Sequence, residues 1–235
     1  MNNKFDFSTY LFLSKKKIII SVYKKNNFEN IYEKELLIDN QLNYINYQEL
    51  DDFLKNHIFK IEKILDNFIK KIVVIIDLDK FFFIELSIKN KDYESSINLK
   101  SLSHLINEAK ENCKRTIDDR RIIHLIVKNY VIDNENYEFL PKDPNNKSFS
   151  IDLKFICLSN EIIKNLEEIL NKYQISLGRI LNATHIRNFS SDKENENIFL
   201  MANKILTGHN SNEVILVDKS KKNQGFFEKF FNFLS

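Results

Sequence analysis

The stretch YQELDDFLKNHIFKIEKILDNFIKKIVVII, residues 47–76, changes its hydrophobic period once, and that change sets the fold class. In its first part apolar residues recur at Leu50, Phe53, Leu54, Ile58, Ile61, Ile64, Leu65, Phe68 and Ile69, the spacing of a helix with one buried stripe. Asn46 stands at the cap position and Glu49 follows three residues later, as in a capping box. Ile72–Ile76 (IVVII) then has no polar position, which fits a short strand covered on both faces. Phe81–Ile88 (FFFIELSI) reads as another strand. Helix, buried strand, strand points to a mixed α/β (α+β) fold.

Working outward, a second helix is expected over Leu99–Lys114, with Leu102, Leu105, Ile106, Ala109 and Cys113 on one face. Strands are expected at Arg121–Ile132 and Phe149–Leu158, separated by the turn-rich Asn134–Ser148 that holds both prolines. Residues 81–158 therefore read strand, helix, strand, strand. Ser159 or Asn160 opens a third helix with Ile162, Ile163, Leu166, Ile169, Leu170 and Tyr173 inward, and Ile175–Leu181 follows as a strand, repeating the order of 47–76. Toward the N-terminus, Lys17–Tyr23 and Asn30–Ile38 form an antiparallel pair across Lys24–Glu29. Beyond Leu181 the pattern weakens through Asn188–Asn197. A short amphipathic helix (Ile198, Phe199, Ala202, Ile205, Leu206) then stops at Gly208, and Asn210–Gln224 reads as a linker.

Composition excludes several functions. The 235 residues are 43% hydrophobic, enough for a core, and carry a net charge of +2, so no global field points to nucleic acid. Thirty lysines stand against five arginines, a poor set for bidentate reading of bases or phosphates. The three glycines, Gly178, Gly208 and Gly225, leave the first 177 residues without one, which disfavours any loop that wraps a phosphate. Cys113 and Cys157 lack a CxxC or a neighbouring histidine and read as small buried hydrophobes, in keeping with a cytoplasmic setting. Residues 1–10 lack the plan of a signal peptide, and no apolar run reaches the roughly 18 residues of a membrane span.

The end of the chain, GFFEKFFNFLS (Gly225–Ser235), gathers Phe226, Phe227, Phe230, Phe231, Phe233 and Leu234 on one side of a helix of about 100° per residue, with Glu228, Lys229, Asn232 and Ser235 opposite. Lys219, Lys221 and Lys222 precede it, placed with Lys229 to meet anionic headgroups while the aromatic face enters the acyl boundary. Each such lysine adds about 1 kcal/mol on an anionic surface, so reversible, lipid-dependent attachment is expected, strengthened by a second contact through a partner or through self-association. These ten residues are the membrane-binding candidates.

No catalytic, cofactor or metal site is assigned. Asp77 and Asp79 (IDLD) end a buried strand without a histidine or glycine-rich loop beside them, and Asp118–Arg121 (DDRR) reads as a solvated turn. His57, His104, His124, His185 and His209 share no ligand spacing, and no GxSxG elbow occurs. The expectation is a protein that is not an enzyme.

Two strings carry a family resemblance. LINEAKENCKRTIDDRRIIHLIVKNYVID, Leu105–Asp133, looks like the helix, basic turn and HVIPQEYxID strand of the bacterial cell-division protein FtsA. IDLKFICLSNEIIKNLEEILNKYQISLGRIL, Ile151–Leu181, is similar to the strand, helix and closing strand that follow in that family. The resemblance implies a partial actin-like subdomain 1A over 1–80 and 159–207, an inserted SHS2 (1C) subdomain over 81–158, a linker over 208–224 and a membrane-targeting helix over 225–235. The family's first phosphate loop, acid-Ile-Gly-Thr-x-Lys, falls on Phe12, Leu13, Ser14, Lys15, Lys16 and Lys17, of which only Lys17 is kept. Subdomains 2A and 2B find no room after Leu181. The resemblance thus implies an adaptor on the inner face of the cytoplasmic membrane that presents an SHS2 surface to cell-division proteins, binds no nucleotide and carries over no direct FtsZ contact. A neighbouring reading is a PilM-like pilus or secretion adaptor that binds the cytoplasmic peptide of a membrane partner.

Overall fold

In a computed structural model, which describes residues 6–38, 43–90, 99–141, 148–189 and 197–214, the chain forms two sheets. The first is built from β1 (Phe7–Ser14), β2 (Lys17–Lys24), β3 (Asn30–Leu37), β4 (Lys71–Asp77) and β9 (Ser176–Asn182), in the order β3-β2-β1-β4-β9. Strands β1 to β3 pair antiparallel, while β4 lies parallel to both β1 and β9. The second sheet holds β5 (Phe81–Lys89), β6 (Arg120–Ile132), β7 (Glu135–Tyr137) and β8 (Phe149–Ser159), in the antiparallel order β5-β8-β6-β7. The mixed α/β class read from residues 47–76 is the class observed.

Both faces of the first sheet are covered. Leu11, Leu13, Ile20, Val74 and Ile76 meet α1 (Tyr47–Leu65) and α3 (Asn160–Asn171), whose buried stripes include Leu54, Ile61, Leu166 and Leu170. Tyr10, Phe12, Ile75 and Leu181 face the other way, against α4 (Ala183–Phe189) and α5 (Ile198–Leu206). Two-sided burial explains the unbroken apolar run at Ile72–Ile76. On the second sheet, α2 (Leu99–Thr116) covers one face through Leu102, Leu105, Ile106, Ala109 and Cys113, in one cluster with Leu125, Leu153 and Phe155. The opposite face carries ion pairs from Glu85 to Lys128 and Lys154, the alternation of a half-solvated antiparallel sheet.

The caps follow the sequence. The Asn46 side chain accepts from the Glu49 amide at 3.3 Å, and Ser159 accepts from the Glu161 amide at 3.2 Å. One expectation is corrected. The apolar spacing carried α1 on through Phe68 and Ile69, but it ends at Leu65, where Asp66 turns left-handed at φ 47°. The Glu62 carboxylate then takes the Ile69 amide at 3.0 Å and seats Ile69 in the core, leaving Ile64 and Phe68 on the surface. Strand β1 and helix α4, which no periodicity announced, are also present.

Candidate functional site at the junction of the sheets

The positions matched to a phosphate loop form a tight hairpin turn between β1 and β2. The Ser14 hydroxyl oxygen accepts from the Lys16 and Lys17 amides at 3.3 and 3.1 Å and donates to the Lys17 carbonyl, closing the turn on itself. Lys17 pairs with Glu35 at 2.8 Å, and Lys15 pairs with Asp79. The Arg187 guanidinium grips both oxygens of Asp77, at 2.9 and 2.6 Å. The carboxylates of the IDLD pair thus each hold a basic side chain. In the DDRR turn, Arg120 lies over the Phe82 ring and Arg121 reaches Glu167 at 3.4 Å.

A second constellation lies where the two sheets meet. Glu213, 3% exposed, sits among His124 from β6, Arg179 from β9 and His185 from α4. Its oxygens lie 2.7 Å from His124 Nδ1, 2.8 Å from His185 Nε2 and 3.7 Å from an Arg179 nitrogen. His124 Nε2 accepts the backbone N–H of Asn182 at 3.0 Å, so its proton resides on Nδ1 and is donated to Glu213. Burial holds the His124 imidazole down at about 4 despite the adjacent carboxylate, keeping it neutral. Burial alone would raise Glu213, but the hydrogen bonds from His124 and His185 outweigh it and bring the carboxyl to about 2.

The ligand atoms of His124, His185 and Glu213 all lie within 4.8 Å of one another, a spacing that raises the question of a cation. The hydrogen bonds answer it. A metal ion on His124 Nδ1 would move the imidazole proton to Nε2, where it would face the Asn182 N–H, one donor against another. Arg179 already supplies positive charge to the same carboxylate. Because both ring nitrogens of His124 are engaged and the ring is 1% exposed, no substrate proton can reach it. The arrangement is a fully paired lock.

Spacing could not disclose this site. His124, His185 and Glu213 come from a strand, a short helix and the segment read as linker. The one usable signal was His124, an imidazole inside the apolar run Ile122–Val127 of β6. Of residues 208–224, the described part is 208–214, whose end is seated on β6: the Val127 amide donates to the Asn212 carbonyl and the Val214 amide to the Leu125 carbonyl, both at 2.8 Å. The membrane-binding candidates Lys219, Lys221, Lys222, Phe226, Phe227, Lys229, Phe230, Phe231, Phe233 and Leu234 lie outside the described residues. Cys113 and Cys157 are free, buried thiols, and burial pushes Cys157 up to about 12.

No family profile and no curated protein matches the chain. Solved structures do. The cytoplasmic domain of EpsL, an inner-membrane component of the type II secretion system of Vibrio cholerae, is 10% identical with a TM-score of 0.41, over 77% of this chain and 59% of that one. The PilM–PilN type IV pilus biogenesis complex is 8% identical with a TM-score of 0.47, over 77% and 49%. A Bacteroides thetaiotaomicron protein with an actin-like ATPase fold is 18% identical with a TM-score of 0.32, over 78% and 55%. The likeness is one of fold, and this chain spans about half to three fifths of the length of these neighbours. Among the described residues no helix is long and apolar enough to cross a membrane.

Proposed function

We propose that this chain is an FtsA-like adaptor that attaches peripherally to the inner face of the cytoplasmic membrane and recruits cell-division proteins through its four-stranded, SHS2-like unit. The carrying observation is the segregation of Phe226, Phe227, Phe230, Phe231, Phe233 and Leu234 from the polar residues in a helical projection of the sequence 225–235, with Lys219, Lys221 and Lys222 just before them. The FtsA-like strings at 105–133 and 151–181 support the choice of family. The adaptor works without nucleotide: Lys17, the one position kept from the phosphate loop, is committed to Glu35, and the turn around it is closed by Ser14. It performs no catalysis.

Co-sedimentation with vesicles containing anionic lipid tests this reading. The whole chain pellets, and the chain ending at Gln224 stays in the supernatant, with its folding transition unchanged. Equal pelleting of the two removes the anchor and the proposal with it.

A second reading has its own observation. A cleft of about 170 Å³ lies between the sheets, lined by Ile122 and Ile123 of β6, Ile163 of α3, Leu177 and Ile180 of β9, with Arg121 and Arg179 at its sides, each paired to a carboxylate, Glu167 and Glu213. The apolar part of these walls suits a short apolar peptide, as a PilM-like adaptor would take from a membrane partner. Failure of the whole chain to pellet with lipid vesicles, together with binding of a short apolar peptide that Ile123→Asp abolishes, would favour that route.

A further inference from the structure

Residues 207–214 take a path that neither the helical layers nor the sheet order requires. Helix α5 belongs to the cluster on the first sheet, through Phe199, Met201, Ala202 and Ile205. After it the chain turns at Gly208, with φ 85°, and crosses to the second sheet, where Val214 is buried among the residues packed under α2. Ile126 and Glu213 form an antiparallel bridge, and the two main-chain hydrogen bonds around it occupy the edge of β6 just before β7 begins to pair. An unpaired strand edge is a template for any extended chain. Here the protein fills it with its own segment.

We propose that residues 210–214 are a latch: a turn and single bridge held against the β6 edge, with Glu213 as its key, that locks the β9–α4 corner of the first sheet to the second sheet. Three observations carry it. The side chain of Glu213 reaches a histidine on β6, a histidine on α4 and an arginine on β9, so one carboxylate joins three elements drawn from both sheets. The segment shapes itself for that edge, since the Asn210 side chain accepts the Asn212 amide and its carbonyl accepts the Glu213 amide. The edge also has chemical selectivity: it receives a carboxylate followed by an apolar residue, because Arg179 and the two imidazole N–H groups stand where the acid enters and the α2-side core receives Val214.

The latch acts on the proposed membrane adaptor, and that consequence alone rests on the reading above. While it is seated, residues 215–224 are the spacer between β6 and the aromatic tail, and a spacer of ten residues reaches at most about 35 Å. Release would add the five residues 210–214, about 17 Å more, and would bare the β6 edge to an incoming strand at the same moment. Standoff from the surface and availability of the edge are one equilibrium, so a partner strand that takes the edge also lengthens the tether.

Hydrogen exchange followed by mass spectrometry on the full chain in solution, without lipid, tests the latch separately from the anchor. Read residue by residue in low denaturant, the Val127 and Val214 amides, which bond across the latch, exchange together and at least tenfold faster than the 72–76 amides of β4, because the latch opens as a unit while both sheets stay closed. In the Glu213→Gln protein both amides exchange at least tenfold faster again and 72–76 does not change. Exchange of Val214 independently of Val127, or unchanged protection of both in the Glu213→Gln protein, overturns the proposal. Acceleration of 72–76 to the same degree overturns it as well, since Glu213 would then be an ordinary part of one cooperative core. The wild-type measurement decides the matter even where the variant does not fold.

Discussion

The turn at Ser14–Lys17 and the latch at Asn210–Val214 both join oppositely charged side chains from distant parts of the chain, yet they differ in what surrounds the charges. Lys17 and Glu35 keep 39% and 40% of their side-chain surface in water, whereas Glu213 keeps 2% and His124 none. In water a pair gains little and loses little when broken. In the interior the carboxylate has given up its hydration, so each remaining donor is needed to hold it there. The family resemblance drew attention to the first place. The physical stakes lie at the second.

Substitutions can sharpen that contrast. The largest effect is expected from Glu213→Ala, which leaves Arg179 and two imidazoles around a hole: about 3–5 kcal/mol lost in urea denaturation. A loss below about 1 kcal/mol would put Glu213 on a par with the surface pairs. Next comes Gly178→Ala. A Cβ at Gly178 would sit 2.6 Å from the backbone oxygen of Ile72, at the register shift between β4 and β9 that precedes Arg179. Because backbone must move, a cost of about 3 kcal/mol is expected, the upper end for overpacking, and an unaltered thermal midpoint would contradict the close approach.

Acid should act more gently and with a defined sign. His124 binds a proton near 6.5 when unfolded but only at about 4 when folded, so the unfolded state takes up protons first as pH falls. Stability present above pH 6.5 is therefore lost on the way down to pH 4, with roughly 2 kcal/mol gone between pH 7 and pH 5. Glu213 adds a further loss in the same direction, from the ordinary carboxyl range down to about 2. Urea midpoints at pH 7 and pH 5 measure the first part, and a flat profile there would show that His124 is not held neutral. The smallest effect is expected at the other end of the comparison: Lys17→Ala changes stability by less than about 0.5 kcal/mol, and calorimetry with ATP and magnesium stays silent for wild type and variant alike. Micromolar ATP binding that disappears in Lys17→Ala would reverse the reading of the turn.

Much of the fold was legible because its signals are local. Leu50, Leu54, Ile58, Ile61 and Leu65 lie on one side of α1 whatever it packs against, and Asn46 caps it through a side chain three residues from its target. The reading failed where a local pattern continued but the backbone did not: Ile64 and Phe68 kept the helical spacing, while Asp66 at positive φ and the Glu62 carboxylate turned the chain out of the helix. It was silent on β1, whose alternate residues serve two different cores, Leu11 and Leu13 on one face and Tyr10 and Phe12 on the other. Residues 210–214 looked like a linker because Asn, Ser and Glu carry no periodicity. Their placement depends on hydrogen bonds to a strand more than 80 residues earlier.

By itself the sequence determined the mixed α/β class and the helix faces and caps, since each follows from side-chain directions repeating along a single stretch of backbone. Only the tertiary structure decided that Lys17 is spent on Glu35, and that His124, Arg179, His185 and Glu213 converge on one buried point. Such convergence is set by how two sheets pack, and a charge reveals its energetic weight only once water has been removed from around it.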